Sequence, residues 1–301
     1  MATQRKLTLL VDGSSLIYRA FFSVPDSVKD DAGNSVNAAY GFLNMLSRLI
    51  LDLKPARLAV CLDADWRPQW RVDLLESYKL HRVAEQDAPE DPVEAQIPMI
   101  EDLLALAGIA AIGSPDCEAE DVIATLIKRD KRRPTAIVSG DRDLFQLVHD
   151  PYVWVLYPKR GVSDLVRVDE KWIEEKYGIP GRAYADFAIL RGDPSDGLPG
   201  VPGIGEKTAT LLIAKHGSLA GVLKAAKGAT SGPLGKVAVA DDYVRRATEV
   251  VKMKEDCSVP ELDLTLGAQP MSKRLPKLAK ELSLGGPVGR LTEAMKAVVG
   301  S

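Results

Sequence analysis

Nine carboxylates, placed at separated points but always in or beside turn-rich segments, constrain this chain more than any other feature. They are Asp12 in LLVDGSS, Asp63 in AVCLDAD, Glu118, Glu120 and Asp121 in CEAEDV, Asp141 and Asp143 in VSGDRD, and Asp193 and Asp196 in LRGDPSDGLPG. Three of these sites follow an apolar, β-prone run: LTLLV, RLAVCL and TAIVS. In a parallel sheet, residues just beyond the carboxyl ends of the strands share one edge of the fold. Carboxylates crowded there repel one another unless cations sit among them. Hard oxygen ligands with room for water suit Mg²⁺ or Mn²⁺, and two such ions are the usual apparatus of phosphodiester hydrolysis.

The segments between the acids alternate in period. LTLLV reads as a strand, followed by an amphipathic helix over 16–22, a long helix over 37–52 and RLAVCL as a second strand. Residues 66–95 carry three prolines and dense mixed charge, so an excursion that is only partly helical and mobile without a ligand is expected. A helix at IPMIEDLLALAG, a short strand at IAAIG, a helix at EAEDVIATLIKRD and the strand TAIVS restore the alternation. Repeated βα units imply a mostly parallel sheet flanked by helices, an α/β core. After about residue 167 helical patterns take over, which divides the chain into an α/β part over 1–180 and a helical part over 181–301. The basic stretch GAQPMSKRLPKLAKELSLGGP reads as a loosely packed tail helix.

Bulk properties narrow the class. The 301 residues suffice for one large domain or two ordinary ones, and 46% hydrophobic content is that of a globular protein. A net charge of −3 argues against nucleic-acid binding through bulk positive charge, although a local basic stripe is compatible with it. Cys61, Cys117 and Cys257 lack CxxC spacing and read as reduced thiols. No apolar run reaches membrane-spanning length, and MATQRKLTLLVDG is too short an apolar start for a secretory signal. A cytoplasmic, membrane-free protein is expected.

Each motif has a plainer reading beside the chemical one. Asp12 alone reads equally as a helix N-cap. Acids in EAED suit the positive end of a helix, yet Glu118 and Asp121, three apart, can also face one ion. GDRD and GDPSD add acids at short spacing in glycine-opened turns, and so many groups are hard to explain as caps. GVPGIGEKTA joins three glycines in a tight turn to a helix starting at Glu206 or Lys207. Such a turn presents backbone N–H groups to phosphate, from Gly200, Gly203 and Gly205, with Lys207 and Thr208 beside them. A Walker A loop fails because Glu206 stands where its lysine must follow the second glycine. A helical hairpin with glycine turns stays open. In WRVDLLESYKLHR, Arg71, Lys79 and Arg82 alternate with Trp70 and Tyr78. Phosphate contact with base stacking, or a solvated helix with its aromatics turned inward, both fit; Tyr18 and Arg19 invite the same pair of readings.

Taken in order, VDGSSLIYRAFF, LDAD, SYKLHR, EAEDV, SGDRDLFQLV and LRGDPSDGLPGVPGIGEKTA resemble the 5′-nuclease domain of bacterial DNA polymerase I and the related flap endonucleases. The resemblance spans roughly residues 7–255. It implies a PIN-like core, a helical arch over the active site within 66–95 and a helix–three-turn–helix DNA clamp over about 190–220. One divalent ion would draw on Asp12, Asp63, Glu118 and Glu120, and a second on Asp141, Asp143, Asp193 and Asp196, with Asp121 between the groups. Lys79 and Arg82 fall where the family handles the scissile phosphate, with Tyr78 beside them. A K⁺ ion on the clamp's backbone carbonyls is also implied. Two departures stand out: Glu120 where the polymerase type has Asp, and Gly197 where it has Asn. The expected protein is a bacterial, monomeric, nucleoid-associated 5′→3′ exonuclease and flap endonuclease acting on DNA flaps, nicks and gaps and on RNA–DNA primers. A PIN-type ribonuclease and a catalytically silent DNA-structure-binding protein are the alternatives.

Overall fold

The computed structural model describes residues 6–86 and 91–300. Its first half alternates strands and helices: β1 (Thr8–Asp12), α1 (Gly13–Ser23), α2 (Asn37–Leu53), β2 (Arg57–Cys61), α3 (Gln69–Leu74), α4 (Leu80–Gln86), α5 (Ile97–Ala107), β3 (Ala110–Ile112), α6 (Ala119–Arg129) and β4 (Thr135–Val138). Then come β5 (Val153–Pro158), β6 (Leu165–Val168), α7 (Glu170–Tyr177) and α8 (Tyr184–Arg191). The remainder is helical: α9 (Glu206–His216), α10 (Leu219–Ala226), α11 (Gly232–Val239), α12 (Asp241–Val251), α13 (Leu275–Glu281) and α14 (Gly285–Val299).

The strands form one sheet in the order β3-β2-β1-β4-β5-β6. All pairs are parallel except β5–β6. β1 lies at the centre with all five residues buried, as an unbroken apolar run requires when helices cover both faces. Gly13 follows β1 because a Cβ there would lie 2.7 Å from side-chain atoms of Leu62 and Val60. Its absence lets α1 start against β2. β1 and β4 end at Asp12 and Val138, and β2 at Cys61 two residues before Asp63, so their acids share the sheet's carboxyl edge. Because the strand order reverses between β1 and β4, this edge carries the topological switch point where open α/β sheets bind ligands.

β5 and β6 were not among the strands expected from sequence. Both sit toward one edge of the sheet with partly exposed side chains, so their apolar contrast is weak. The tail is not loosely packed: α14 lies along α2, and Val288, Leu291 and Met295 join Phe42 and Leu46 in one buried cluster. No helix among the described residues is long and apolar enough to cross a membrane.

The cysteine expectation is corrected. Cys117 and Cys257 form a disulfide across 140 residues, and only Cys61 is free, buried in β2. Spacing in the sequence cannot reveal this pair, because the fold alone brings the start of α6 against the segment after α12. Closing so long a loop restricts the unfolded chain and is worth about 2–4 kcal/mol. Reduction is therefore expected to lower the melting temperature by roughly 5–10 °C for a chain of this size. Thiol alkylation in denaturant should label one cysteine before reduction and three after; three labelled beforehand would show that the bond does not form.

Candidate active site

The carboxyl edge of the sheet opens into a cleft of about 1690 Å³ between the core and the loop after α8. Eight of the nine acids line it: Asp12, Asp63, Glu118, Glu120, Asp141, Asp143, Asp193 and Asp196. Among the described residues, ten acidic side chains and four basic ones (Lys79, Arg82, Arg142 and Arg191) line the cleft, a surplus of negative charge that calls for cations.

Local structure places each acid. Asp12 both caps α1, accepting from Ser15 N at 3.0 Å, and faces the cleft, so the capping role does not remove it from the cleft wall. Its second oxygen accepts from Ser139 Oγ, just beyond β4. Asp63 accepts from Ala119 N at 2.7 Å, which ties the loop after β2 to the first turn of α6. Asp141 accepts from Asp143 N at 2.8 Å inside the GDRD turn. Asp193 holds Ser195 N at 3.0 Å and Arg191 Nη2 at 3.1 Å. Glu118 accepts from Tyr78 Oη at 2.7 Å, from Arg71 Nη1 at 3.0 Å and from Lys79 Nζ.

Asp121 is not in the cleft. It is fully buried as the third residue of α6, accepting from Glu118 N at 3.1 Å and from Lys254 N at 2.8 Å. It closes the helix start, so the metal expectation for it is withdrawn. Arg71 and Tyr78 are buried too, at 0% and 2% exposure, so neither presents a surface to DNA. Sequence shows a cation between aromatic rings but not the carboxylates, 47 and 50 residues on, that pull Arg71 inward. Tyr18 remains at the rim, its hydroxyl donating to Asp91 at 2.8 Å. Arg19 lies over the Gly140 turn, and its buried Nε has no hydrogen-bond partner. Arg142 and Arg191, within the motifs but not singled out from sequence, add two cations to the cleft wall.

The excursion after β2 is packed in its described part rather than free-standing. Lys79 N donates to Asp196 O at 3.0 Å, Ser77 Oγ to Gly197 O at 2.7 Å, and Arg82 Nη2 to Ser195 O at 3.0 Å. Gly197 has a φ of +70°, and a Cβ there would lie 1.9 Å from the Ser77 carbonyl oxygen. The departure to glycine thus permits the close approach of the two loops. Residues 87–90 of the expected arch lie outside the described residues.

In the turn before α9, Gly203 and Gly205 are exposed with Lys207, and Thr208 is half-buried. Gly200 is different: it is buried, and its N–H donates to Tyr243 Oη at 3.0 Å. It shapes the turn and is not a phosphate contact. Lys236 of α11, not singled out from sequence, donates to Gly203 O at 3.0 Å and adds a cation to this surface.

Burial dominates the electrostatics. It pushes Asp12 up to about 7, against its bonds to Ser139 and Ser15 and helped by Asp63 and Asp141. Burial likewise raises Glu118, against Lys79 and Arg71. It holds Glu120 well above the usual range, with Glu118 adding to the effect. Asp141 is raised by burial and then Asp196, and Asp143 well above its usual value by burial and then Asp141. Folded, metal-free Asp12 keeps its proton to about pH 7, whereas the unfolded residue loses it near 3.8. The folded state binds more protons in that window, so stability falls as pH rises through it. We expect the melting temperature in chelator to decline from pH 4 to 7, and Asp12→Asn to flatten that decline. Equal slopes for variant and wild type would remove Asp12 as its source.

Among the described residues no three carboxylates converge closely enough to enclose an ion as they stand. Several are turned instead toward a donor, as the bonds above record. The donor set itself fits: hard oxygens line an open cleft with surplus negative charge, the chemistry of Mg²⁺ or Mn²⁺ sites.

Comparison with known proteins accounts for this arrangement. Residues 7–178 match the model of the 5′-3′ exonuclease N-terminal resolvase-like domain, and residues 179–274 that of the 5′-3′ exonuclease C-terminal SAM fold. The chain belongs to the 5′-3′ exonuclease family. It is 47% identical over 302 residues to a 5′-3′ exonuclease of Streptomyces coelicolor, covering 96% of this chain and all of that one. It is 39% identical over 269 residues to DNA polymerase I of Mycobacterium tuberculosis, covering 88% of this chain and 29% of that longer protein. Its fold is that of the phage T5 D15 protein crystallised with metal ions, with a TM-score of 0.66 at 14% identity over 97% of this chain and 99% of that one. The catalytic core of Rad2 in complex with DNA shares the fold at a TM-score of 0.57 and 18% identity, over 98% of this chain and 93% of that one. A 5′-nuclease family member with a PIN-like core and a helical C-terminal part is the result.

Proposed function

We propose that this 5′ nuclease is a structure-dependent 5′→3′ exonuclease and flap endonuclease that hydrolyses DNA, and RNA–DNA primers, at flaps, nicks and gaps. The observation that carries the reading is the convergence of eight carboxylates, Lys79 and Arg82 in one cleft, whose wall at Gly192 packs against Gly200 of the glycine turn before α9. Asp12, Asp63, Glu118 and Glu120 would hold one Mg²⁺ or Mn²⁺ ion, and Asp141, Asp143, Asp193 and Asp196 another. Bound there, the ions would acidify the attacking water and offset charge on the phosphate. Lys79 contributes a fixed positive charge at the junction of the two acid groups. Arg82, tied to Ser195 O with its guanidinium 3.7 Å from Asp196, is placed to meet the same phosphate. The helical part after residue 180 favours this reading over a PIN-type ribonuclease, which needs no duplex clamp. A K⁺ ion on the clamp's backbone carbonyls belongs to the same proposal. A monomeric, nucleoid-associated bacterial enzyme of primer removal and repair completes the proposal.

The test is cleavage of 5′-labelled flap, nicked and single-stranded DNA, and of single-stranded RNA, with Mg²⁺, Mn²⁺ or EDTA. Preference for the flap with either metal and silence in EDTA is the expected outcome; equal cleavage of all substrates, or of RNA alone, would overturn it. The clamp has its own prediction. Lys207→Ala should weaken flap binding about three- to tenfold and reduce the salt slope by roughly one ion, equally for all DNA sequences. Unchanged affinity and slope would make the turn a plain helical connection.

A further inference from the structure

We infer that Arg71 is a positioning residue that fixes the metal-side carboxylate Glu118 and makes its placement depend on the docking of α12. The inference rests on the proposed role of Glu118 as a metal ligand and goes beyond it, because Arg71 touches neither cleft nor substrate.

A guanidinium has five N–H donors in a rigid plane. Here Nε donates to Val250 O at 3.0 Å, near the end of α12. Nη1 donates to Glu118 Oε1 at 3.0 Å and to Asp121 Oδ2 at 2.8 Å. Nη2 donates to Asp121 Oδ1 at 2.7 Å and lies 3.7 Å from Glu120 Oε1. One planar group thus meets α3, the first turn of α6 and α12. The guanidinium stacks 4.6 Å from the Trp70 ring centre, which fixes its plane from the side.

The partners divide the work. Asp121 is fully buried and takes two of the donors, so it balances the buried charge. Of the two carboxylates hydrogen-bonded to Arg71, Glu118 is the one that reaches the cleft, and its oxygens are shared among Arg71, Tyr78 and Lys79. A carboxylate held from three sides before an ion arrives loses little freedom on binding it, which is the usual contribution of groups behind a metal ligand. A shift of α12 moves Val250 O and therefore the guanidinium plane. α12 can in this way set the geometry of the ion site without lining the cleft itself.

The test separates positioning from charge balance. Arg71→Met strands the Asp121 charge, so it is paired with Asp121→Asn, and both are read by melting temperature and by calorimetric titration of Mg²⁺ without DNA. The double variant is expected to regain most of the stability lost by the single one. Its Mg²⁺ affinity should stay at least about tenfold down and its kcat about a hundredfold down, with KM for the flap within about threefold. Recovery of Mg²⁺ affinity together with stability would overturn the inference, leaving Arg71 as a counterion only. Arg71→Lys covers the case of poor folding, because it keeps the charge but cannot fork. Lowered Mg²⁺ affinity and kcat are expected; wild-type values would overturn the inference. Glu118→Gln serves as the separate check: wild-type Mg²⁺ affinity there would overturn the ligand reading itself.

Discussion

Asp141→Ala is expected to cut the rate of flap cleavage by at least about a thousandfold, roughly 4 kcal/mol of transition-state stabilisation. Flap affinity should stay within about threefold of wild type, because on the proposed function phosphate contacts on the clamp would supply most of the binding. Asp141 stands just past β4, where burial and then Asp196 raise its carboxyl, and it accepts from Asp143 N within its own turn. On the proposed function, removing it would delete a ligand and also relieve repulsion among its neighbours. Metal-free melting temperature should therefore hold or rise by a few degrees. Asp193→Ala makes the contrasting case. That residue also anchors Ser195 N and Arg191, so its loss should abolish cleavage and lower stability together. Single-turnover rates and melting curves in EDTA decide both. Near wild-type cleavage by Asp141→Ala in Mg²⁺ would remove it from the ion site.

The acids and the sheet were legible because both follow from short-range pattern. Apolar runs ending in Asp12, Asp63 or the GDRD turn fix strand ends, and a parallel sheet then gathers those ends on one edge whatever lies between. What sequence could not show is which member of a close pair faces inward. Glu118 and Asp121 lie three apart on the same helical turn and are equivalent by pattern, yet of the two, both bound to Arg71, only Glu118 reaches the cleft. That choice is made by α3 and the segment just after α12, 50 and 133 residues away in the contacts they bring. The same holds for Tyr78: its ring looks ready to stack on a base until Glu118, 40 residues on, is found against its hydroxyl. The Cys117–Cys257 bond and the weak edge strands β5 and β6 escaped for kindred reasons, long separation in the one case and low apolar contrast in the other. The local chemistry of a motif is visible in sequence; the partner that decides its exposure is not.

Lys79→Ala is the second large effect expected, a loss of about 10²–10³ in kcat with KM for the flap within about threefold, the size seen when a preorganised charge at a developing anion is removed. Lys79 is 7% exposed, with its Nζ on Glu118 Oε2 and 3.4 Å from Trp66 O. Burial works against its charge, but Glu118, Asp196 and Glu120 outweigh that and raise its pKa, so it stays an ammonium. Its φ of +47° and the bond from its N–H to Asp196 O fix the backbone at the meeting of the two acid groups. An ammonium held this way needs little rearrangement to share itself with an arriving phosphate. Arg82 is held less firmly, with its side chain 42% exposed, so Arg82→Ala should cost less, about tenfold. The double variant should fall short of the product of the two, since both would act on one phosphate. The competing explanation is that Lys79 merely keeps Glu118 in place for its ion. Calorimetry separates the two: removing a cation beside the acids should leave Mg²⁺ affinity equal or higher while kcat falls. A Lys79→Ala variant whose kcat recovers at saturating Mg²⁺ would reduce Lys79 to a support for Glu118 and take it out of the chemical step.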